Sequence, residues 1–439
     1  MSLFIVKMSK INIKDLPQYF DQTVCLKGFV DSLRDQKKFV FLILRDNSGQ
    51  AQIFCEKNGK FDDILNRLTP ESIIEIKGRV MKNESVKLNG LELIPEEIKI
   101  LSLAATPLPI DAGTNLNDRL DWRFLDLRRP ENNLIFRLQT LVEKAMRDFW
   151  QERGFIEIHS PKLMGAPSES GAELFEVKYF EGKAYLAQSP QFYKQMAMAA
   201  GFDKVFEIGP VFRANPSFTS RHDTEFTSVD VEIAWIDSLE DIIVLEEEWL
   251  AYIFSRVKSE LGAEIKDRFQ TEIEVPALPF PRLTMTEART IVTKAGHKIG
   301  ADYEGELDPE GEKIVAEHIK KQSGHDFVFI TEYPAAIRAF YHMRAEDNKT
   351  TKSFDLLYKG LEVTTGAQRE HRLEILIKQA EEKGISPESI RFYLDFFKYG
   401  MPPHGGYGFG LTRLIMLLLN MKNVREVTYI YRGPTRLLP

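Results

Sequence analysis

Lys204-Val205-Phe206-Glu207-Ile208-Gly209-Pro210-Val211-Phe212-Arg213 is a strand-like run, followed by a polar stretch from Ala214 to Glu225 and a second run, Phe226-Thr227-Ser228-Val229-Asp230-Val231-Glu232. Two such runs around a polar loop read as an antiparallel hairpin. Around them strands and helices mix without the regular alternation of a doubly wound sheet. The expectation is an α+β body with a largely antiparallel central sheet flanked by helices. Arg213 ends the first strand, Arg221 and His222 lie in the loop, and Phe226 opens the return strand. That set suits a nucleotide, because guanidinium forks clamp phosphate oxygens and an aromatic ring stacks on a base. A plain hairpin with a solvated basic loop accounts for the same residues.

Upstream, residues 23–30, 38–45, 51–55, 72–80 and 91–95 read as short strands, with a helix over about 61–68 and a turn at Asp46-Asn47-Ser48-Gly49. Five strands with a helix between the third and fourth is the order of an OB-fold barrel, which often grips single-stranded nucleic acid. Residues 1–104 are expected to form this domain. Residues 105–133, with Pro107, Pro109 and Pro130 and little periodicity, read as a hinge. Leu134, Leu138, Leu141, Val142, Ala145 and Phe149 then keep helical spacing, opening a second domain over 134–439.

Composition narrows the classes. The chain has 439 residues, 43% hydrophobic and 28% charged, as in ordinary globular proteins. No run approaches the roughly 18 apolar residues of a membrane span, and Met1–Lys7 lacks the basic and small-residue marks of a secretory signal. Cys25 and Cys55 are too few for a disulfide framework or a four-cysteine zinc site, so a cytoplasmic home and no membrane partner are expected. Residues 1–100 carry 16 Lys+Arg against 14 Asp+Glu, a balance of +2, and the remainder 42 against 51, a balance of −9. Charge alone therefore does not advertise nucleic acid; local patches and stacking aromatics would have to bind it.

Two more segments carry chemistry. Gly405-Gly406-Tyr407-Gly408-Phe409-Gly410-Leu411-Thr412-Arg413 reads as a glycine-rich loop running into an apolar helix, with Arg413 near its start, where anions are favoured. It is no Walker loop, and a tight strand-to-helix turn explains it equally well. In Ser353–Arg369, Asp355 and Glu362 could flank a strand turn and hold Mg²⁺ against phosphates, or be ordinary surface acids.

Together these segments resemble, in order, the three signature motifs of class II aminoacyl-tRNA synthetases. The helix ending in Gly154-Phe155-Ile156-Glu157-Ile158-His159-Ser160-Pro161 is similar to motif 1, a dimer-interface element; Phe212-Arg213 through Glu232 to motif 2; and Gly408-Phe409-Gly410-Leu411-Thr412-Arg413 to motif 3. Behind an OB-like domain they resemble the aspartate, asparagine and lysine subgroup. Gln188-Ser189-Pro190-Gln191-Phe192-Tyr193-Lys194-Gln195, Thr365-Gly366-Ala367-Gln368-Arg369 and Tyr399–Gly406 are most similar to the archaeal/eukaryotic aspartyl-tRNA synthetases. The likeness runs from about residue 20 to the C-terminus.

The resemblance implies a homodimer that uses ATP and Mg²⁺ to activate L-aspartate and transfers it to tRNA(Asp), with tRNA(Asn) open as a second acceptor. It implies that Lys194 and Arg369 pair with the aspartate side-chain carboxylate. Asp230, Ser189 and Glu169 would hold the α-ammonium group with Gln191 nearby, and Pro167–Gly171 would be a mobile loop closing over the amino acid. Arg213 would bind the α-phosphate, Arg221 and Arg413 the outer phosphates with His222 beside them, and Phe226 the adenine. Asp355 and Glu362 would hold Mg²⁺, Glu362 also reaching ATP. In the barrel, Arg34, Phe41 and Gln52 match anticodon-reading positions, and Phe41 fits a stacking role, although alternation along residues 39–43 does not exclude it as a barrel core residue. The chain departs from the family pattern at Asn215, Thr412 and Gly433, where acidic residues are frequent. An asparaginyl enzyme, or a synthetase-like protein that binds nucleic acid without catalysis, are the rival readings.

Overall fold

The structure, a computed structural model, describes residues 11–88, 90–166, 173–216 and 219–438. It separates into two compact units, Met1–Asn115 and Leu116–Pro439.

In the first unit, β1 (Thr23–Asp35), β2 (Phe39–Asp46), β3 (Gly49–Glu56), α1 (Asp62–Leu65), β4 (Ile73–Lys82) and β5 (Leu91–Ser102) follow the anticipated order. They close into a barrel, β1-β2-β3-β5-β4. The period of two along a strand puts Val40, Leu42 and Leu44 inside with Leu26, Ile53 and Ile76, and turns Phe39, Phe41 and Ile43 outward. The turn at 46–49 is held by Asp46 Oδ1, which accepts from the backbone N–H of Ser48 at 2.7 Å and of Gly49 at 3.1 Å. Pro95 does not end the fifth strand: β5 passes through it where the β4 register shifts between Lys77 and Gly78. Such an irregularity accommodates a residue without an N–H.

The second unit begins with α2 (Leu116–Asp121), α3 (Arg123–Asp126) and α4 (Pro130–Glu152). Residues 116–133 are therefore largely helical and not a hinge. Pro130 opens α4 as its first residue, where a missing N–H costs nothing. Asp126, fully buried, accepts from Arg119 Nε at 2.8 Å and Arg123 Nη1 at 2.6 Å, which ties α2 to α3, while Arg123 Nη2 donates to Glu426 O and Thr428 O at 2.8 Å each and anchors the pair in the unit.

The chain continues through β6 (Ile156–Glu157), β7 (Leu163–Met164), β8 (Glu176–Tyr179), β9 (Gly182–Leu186), α5 (Gln191–Ala199), β10 (Lys204–Phe212), β11 (Glu225–Ala234), α6 (Glu240–Phe269) and β12 (Arg282–Thr284). After α7 (Met285–Lys294) and α8 (Pro309–Ser323) come β13 (Phe327–Thr331), β14 (Ser353–Tyr358), β15 (Leu361–Gln368), α9 (Leu373–Glu382), α10 (Arg391–Lys398), β16 (His404–Gly410), α11 (Leu411–Leu418) and α12 (Val424–Val427). The sheet order is β12-β13-β14-β15-β16-β11-β10-β6. Only the outermost pairs, β12 with β13 and β10 with β6, are parallel.

One sheet face is apolar and covered. Val229, Val231, Ile233, Tyr407 and Phe409 pack against α4, α6 and α11, with Trp150 stacked on Trp249 at 4.8 Å. The helical stripe of α4, Leu134 to Trp150, is thus consumed in its own chain's core.

Candidate active site

The other face of the sheet is polar because alternation forces it to be. Residues 226, 228, 230 and 232 of β11 alternate with the core residues 229, 231 and 233. Register then lines up Asp230 with Gly408 of β16, Gly408 with Thr365 of β15, and Thr365 with Asp355 of β14. The glycine-rich segment is not a loop but this central strand. A Cβ at Gly406 would lie 2.0 Å from Val231 O and 2.5 Å from Glu232 Oε2, so no side chain fits there. Glycines at 406, 408 and 410 keep the floor low, and a cavity of about 410 Å³ stands over it. Ser189, Gln191, Arg213, Arg221, His222, Phe226, Asp230, Glu362, Arg369 and Arg413 all line that cavity.

At one side lie the cations and the ring expected for a nucleotide. The Arg213 guanidinium sits over the Phe226 ring at 5.5 Å, a pairing set by the hairpin register of Val211 with Phe226. Arg413, in the first turn of α11, donates Nη1 to Glu362 O at 2.7 Å and Oε1 at 3.3 Å. Arg221 Nη1 is held by Glu312 Oε2 of α8 at 3.0 Å. Burial, then Arg413, Arg221 and Arg213, push the His222 imidazole down to about 4, so it is neutral at pH 7. Asp223, buried beside it, is pushed up to about 7 by burial, against the hydrogen bond from Thr428 and the pull of Arg413 and Arg425.

The opposite side is a buried ionic network. Lys194, from α5, lies beneath the floor rather than in the cavity wall, 1% exposed at its side chain. Its Nζ is 2.9 Å from Asp230 Oδ1 and 3.4 Å from Glu232 Oε2, and it donates to Tyr407 O at 3.1 Å. Arg369, just past β15, donates Nε to Glu232 Oε1 at 3.0 Å and Nη2 to Gly406 O at 3.0 Å. Burial alone would raise the Glu232 carboxyl, but Arg369 and Lys194 hold it below the ordinary range. Two cations and two carboxylates leave the network neutral in the absence of ligand. Ser228 Oγ donates to Asp230 Oδ2, and Ser189 Oγ accepts from Gln191 N at 3.3 Å.

Asp355, like Lys194, does not line the cavity. Its Oδ2 is 2.7 Å from Arg338 Nη2, while its buried Oδ1 has no hydrogen-bond partner among the described residues. Burial opposes the Arg338 charge, yet Asp355, then Tyr333, hold the guanidinium above its usual value. Among the described residues no group of three or more His, Cys, Asp or Glu side chains could hold a metal ion. Two carboxylates without a third are the donor set Mg²⁺ takes when substrate phosphates complete its shell.

On the barrel, Phe41 is not core. It lies half-buried on the outer face with Phe39 at 5.0 Å and Phe54 at 5.8 Å between ring centroids, and pairs in register with exposed Arg34. Gln52 donates Nε2 to Glu92 Oε2 at 3.2 Å. Sequence reasoning missed Phe39 and Phe54, although the alternation 39, 41, 43 carried the signal. It also missed Glu232, two residues from Asp230 on the same strand face, and Glu312, Arg338, Asp223 and His342, for which no periodicity speaks. Glu169 and the rest of Pro167–Gly171 lie outside the described residues.

Residues 115–431 match the family of class II tRNA synthetases (D, K and N), and residues 24–101 match the OB-fold nucleic acid binding domain. The chain is 44% identical over 432 residues to an aspartate–tRNA(Asp/Asn) ligase of Methanopyrus kandleri, covering 96% of this chain and 97% of that one. It is 42% identical over 424 residues to an aspartate–tRNA(Asp) ligase of Pyrococcus abyssi, covering 95% and 96%. A solved asparaginyl-tRNA synthetase from Pyrococcus horikoshii with asparaginyl-adenylate superposes with a TM-score of 0.91 at 29% identity, covering 98% of this chain and all of that one. No helix among the described residues is long and apolar enough to cross a membrane.

Proposed function

Since the chain belongs to the class II aminoacyl-tRNA synthetases of the aspartate, lysine and asparagine group, we infer that it is an aspartate–tRNA ligase working in the cavity over β11 and β16. ATP enters the side bearing Arg213, Arg413 and Phe226, with the adenine on the Phe226 ring and the phosphates among the arginines. Aspartate enters the side above Lys194 and Arg369, whose two charges favour a side-chain carboxylate over a neutral amide. Asp230, Ser189 and Gln191 face its ammonium group.

An aspartate α-carboxylate oxygen attacks the α-phosphorus in line, the bond from that phosphorus to the β-phosphate bridge breaks, and pyrophosphate leaves. A terminal ribose hydroxyl of tRNA then attacks the aspartyl carbonyl and AMP departs. No protein nucleophile is required, because positioning and neutralisation of phosphate charge carry the first step. Mg²⁺, held by Asp355 and Glu362, would supply further neutralisation of the phosphates. Asp355 Oδ1, buried without a partner among the described residues, supports that assignment. Arg213 and Arg413 hold the phosphate oxygens as charge shifts between them.

The outer barrel face with Phe39, Phe41 and Phe54 offers stacking surfaces for anticodon bases, with Arg34 and Gln52 at their edges. We assign a homodimer on the motif 1 likeness; light scattering giving only a 50.5 kDa species would count against it.

The single observation that carries the aspartate reading is the pair of buried cations, Arg369 in the lining of the arginine-bearing cavity and Lys194 beneath its floor. ATP–pyrophosphate exchange without tRNA tests it: exchange with aspartate and none with asparagine or lysine is expected. Exchange with asparagine would overturn the pocket assignment.

A further inference from the structure

Arg369 owes its orientation to more than Glu232. His342, from the segment between β13 and β14, is buried beside it, and its Nε2 lies 3.4 Å from Arg369 Nη1. Its other nitrogen, Nδ1, lies 3.0 Å from Ala339 O. These two partners settle the ring chemistry. A carbonyl only accepts and a guanidinium only donates, so Nδ1 carries the proton and Nε2 presents a lone pair. Burial, then Arg369 and Arg338, hold the imidazole well below its ordinary range, which agrees with that tautomer. The Tyr341 ring stacks on His342 at 5.1 Å and lies 5.7 Å from the Arg369 guanidinium carbon, restricting both.

We propose that His342 is a positioning residue for amino-acid selection, accepting one Nη1 hydrogen of Arg369 so that the guanidinium is locked in the plane that meets a substrate carboxylate. Glu232 holds the Nε edge of the guanidinium and Gly406 O takes Nη2. With His342 on Nη1, rotation about the last side-chain bond is blocked on both sides. A locked donor fork rejects an amide, whose NH₂ would meet N–H groups, where a loose one could turn to accommodate it.

The inference rests on the assignment of Arg369 to the aspartate carboxylate, and the test separates the two. His342→Asn keeps a donor at the Nδ1 position for Ala339 O but loses the Nε2 acceptor; His342→Gln places an amide oxygen at the Nε2 position. ATP–pyrophosphate exchange is measured for both, and for Arg369→Gln, with aspartate and asparagine. For His342→Asn, the KM for aspartate should rise about tenfold, the size of one hydrogen bond to a charged group, and aspartate-over-asparagine preference should fall in step. The KM for ATP and kcat should stay within about twofold. His342→Gln should recover most of the loss. Unchanged aspartate KM in His342→Asn, or equal impairment in both His342 variants, would overturn the proposal. Arg369→Gln with an unchanged aspartate KM would overturn the pocket reading and this inference with it, whereas an impaired Arg369→Gln beside a normal His342→Asn would sink the inference alone.

Discussion

Replacing Lys194 with Met tests the ionic network as both scaffold and site. In the native protein Lys194 is surrounded by Asp230 Oδ1 at 2.9 Å, Glu232 Oε2 at 3.4 Å and Tyr407 O at 3.1 Å. Removing the ammonium leaves two buried carboxylates to share Arg369, an uncompensated negative charge. Breaking a buried pair from one side costs about 3–5 kcal/mol. With an unfolding entropy of about 2.1 cal/mol/K per residue over a unit spanning Leu116–Pro439, each kcal/mol is worth about 1.5 °C, so the catalytic unit should melt about 4–7 °C lower at pH 7. The pH dependence gives the sharper result. Native Glu232 is held below its unfolded value, so its contribution is complete above about pH 4–5 and is lost only as pH falls through the lower folded value. In the variant the sign reverses: burial beside a like charge raises a carboxyl, and acidification from pH 7 to 5 should restore stability by protonating it. Differential scanning calorimetry at both pH values should therefore find a smaller deficit at pH 5. The double variant Lys194→Met/Asp230→Asn, which removes one orphaned charge, should regain part of the lost stability and none of the aspartate-dependent exchange. An equal deficit at pH 5 and 7, with no recovery in the double variant, would refute the network as drawn.

Arg213→Ala should lower kcat for ATP–pyrophosphate exchange by about 10²–10³-fold, the usual loss for one preorganised donor to developing charge; a rate within tenfold of native would remove Arg213 from the phosphate site. Phe41→Ala should weaken tRNA binding in a filter assay by about 1–3 kcal/mol, the worth of one stacked base, and leave tRNA-independent exchange unchanged. Asp223 is raised to about 7 by burial, so its ionisation penalises folding progressively as pH rises from its unfolded value near 4 towards 7. Asp223→Asn should then stabilise the protein at pH 8 by at most ~4 kcal/mol, from about three pKa units, and far less at pH 4. A melting temperature unchanged by the substitution at pH 8 would contradict that burial.

How much of this could be read from the chain alone depends on whether the information was periodic. The hairpin of β10 and β11 was legible because residues 228–233 alternate polar with apolar, and the same period of two puts Phe226 on the cavity face with Asp230. The barrel was legible from the order of its strands and the helix between the third and fourth, but not its inner face: residues 39–44 are apolar throughout, so only the structure separates inward Val40, Leu42 and Leu44 from outward Phe39 and Phe41. Pro130 and Pro95 misled in one direction each. A proline reads as a break, but at the first position of α4 it is favoured, and at the β4–β5 irregularity it is tolerated. The glycines 405–410 misled because a backbone without side chains reads as a turn. Here it marks close packing inside a sheet, which only the neighbouring strand and α6 reveal: a Cβ at Gly405 would meet Ile242 Cδ1 at 2.2 Å.

Lys194, Arg369 and Asp230 were named from the motifs, but Glu232 and the partners each has in the protein were not, and these alter the chemistry. Lys194 is a point charge already shared by two carboxylates, so aspartate arriving above it must redistribute an existing balance rather than fill an empty positive hole. On the proposed assignment the substrate would bring its own ammonium to Asp230 as its side-chain carboxylate reached the cations, and the exchange would conserve the net charge of the buried set. That conservation explains how a site can bury Lys194, Arg369, Asp230 and Glu232 together and still bind a charged amino acid without paying the desolvation of an unmatched ion. Asparagine, which brings the ammonium but no side-chain charge, would leave one cation unmatched. On the proposed assignment the discrimination would reside in the whole quartet and in the residues that hold it in place, Gly406 and His342 among them, and not in Lys194 or Arg369 alone.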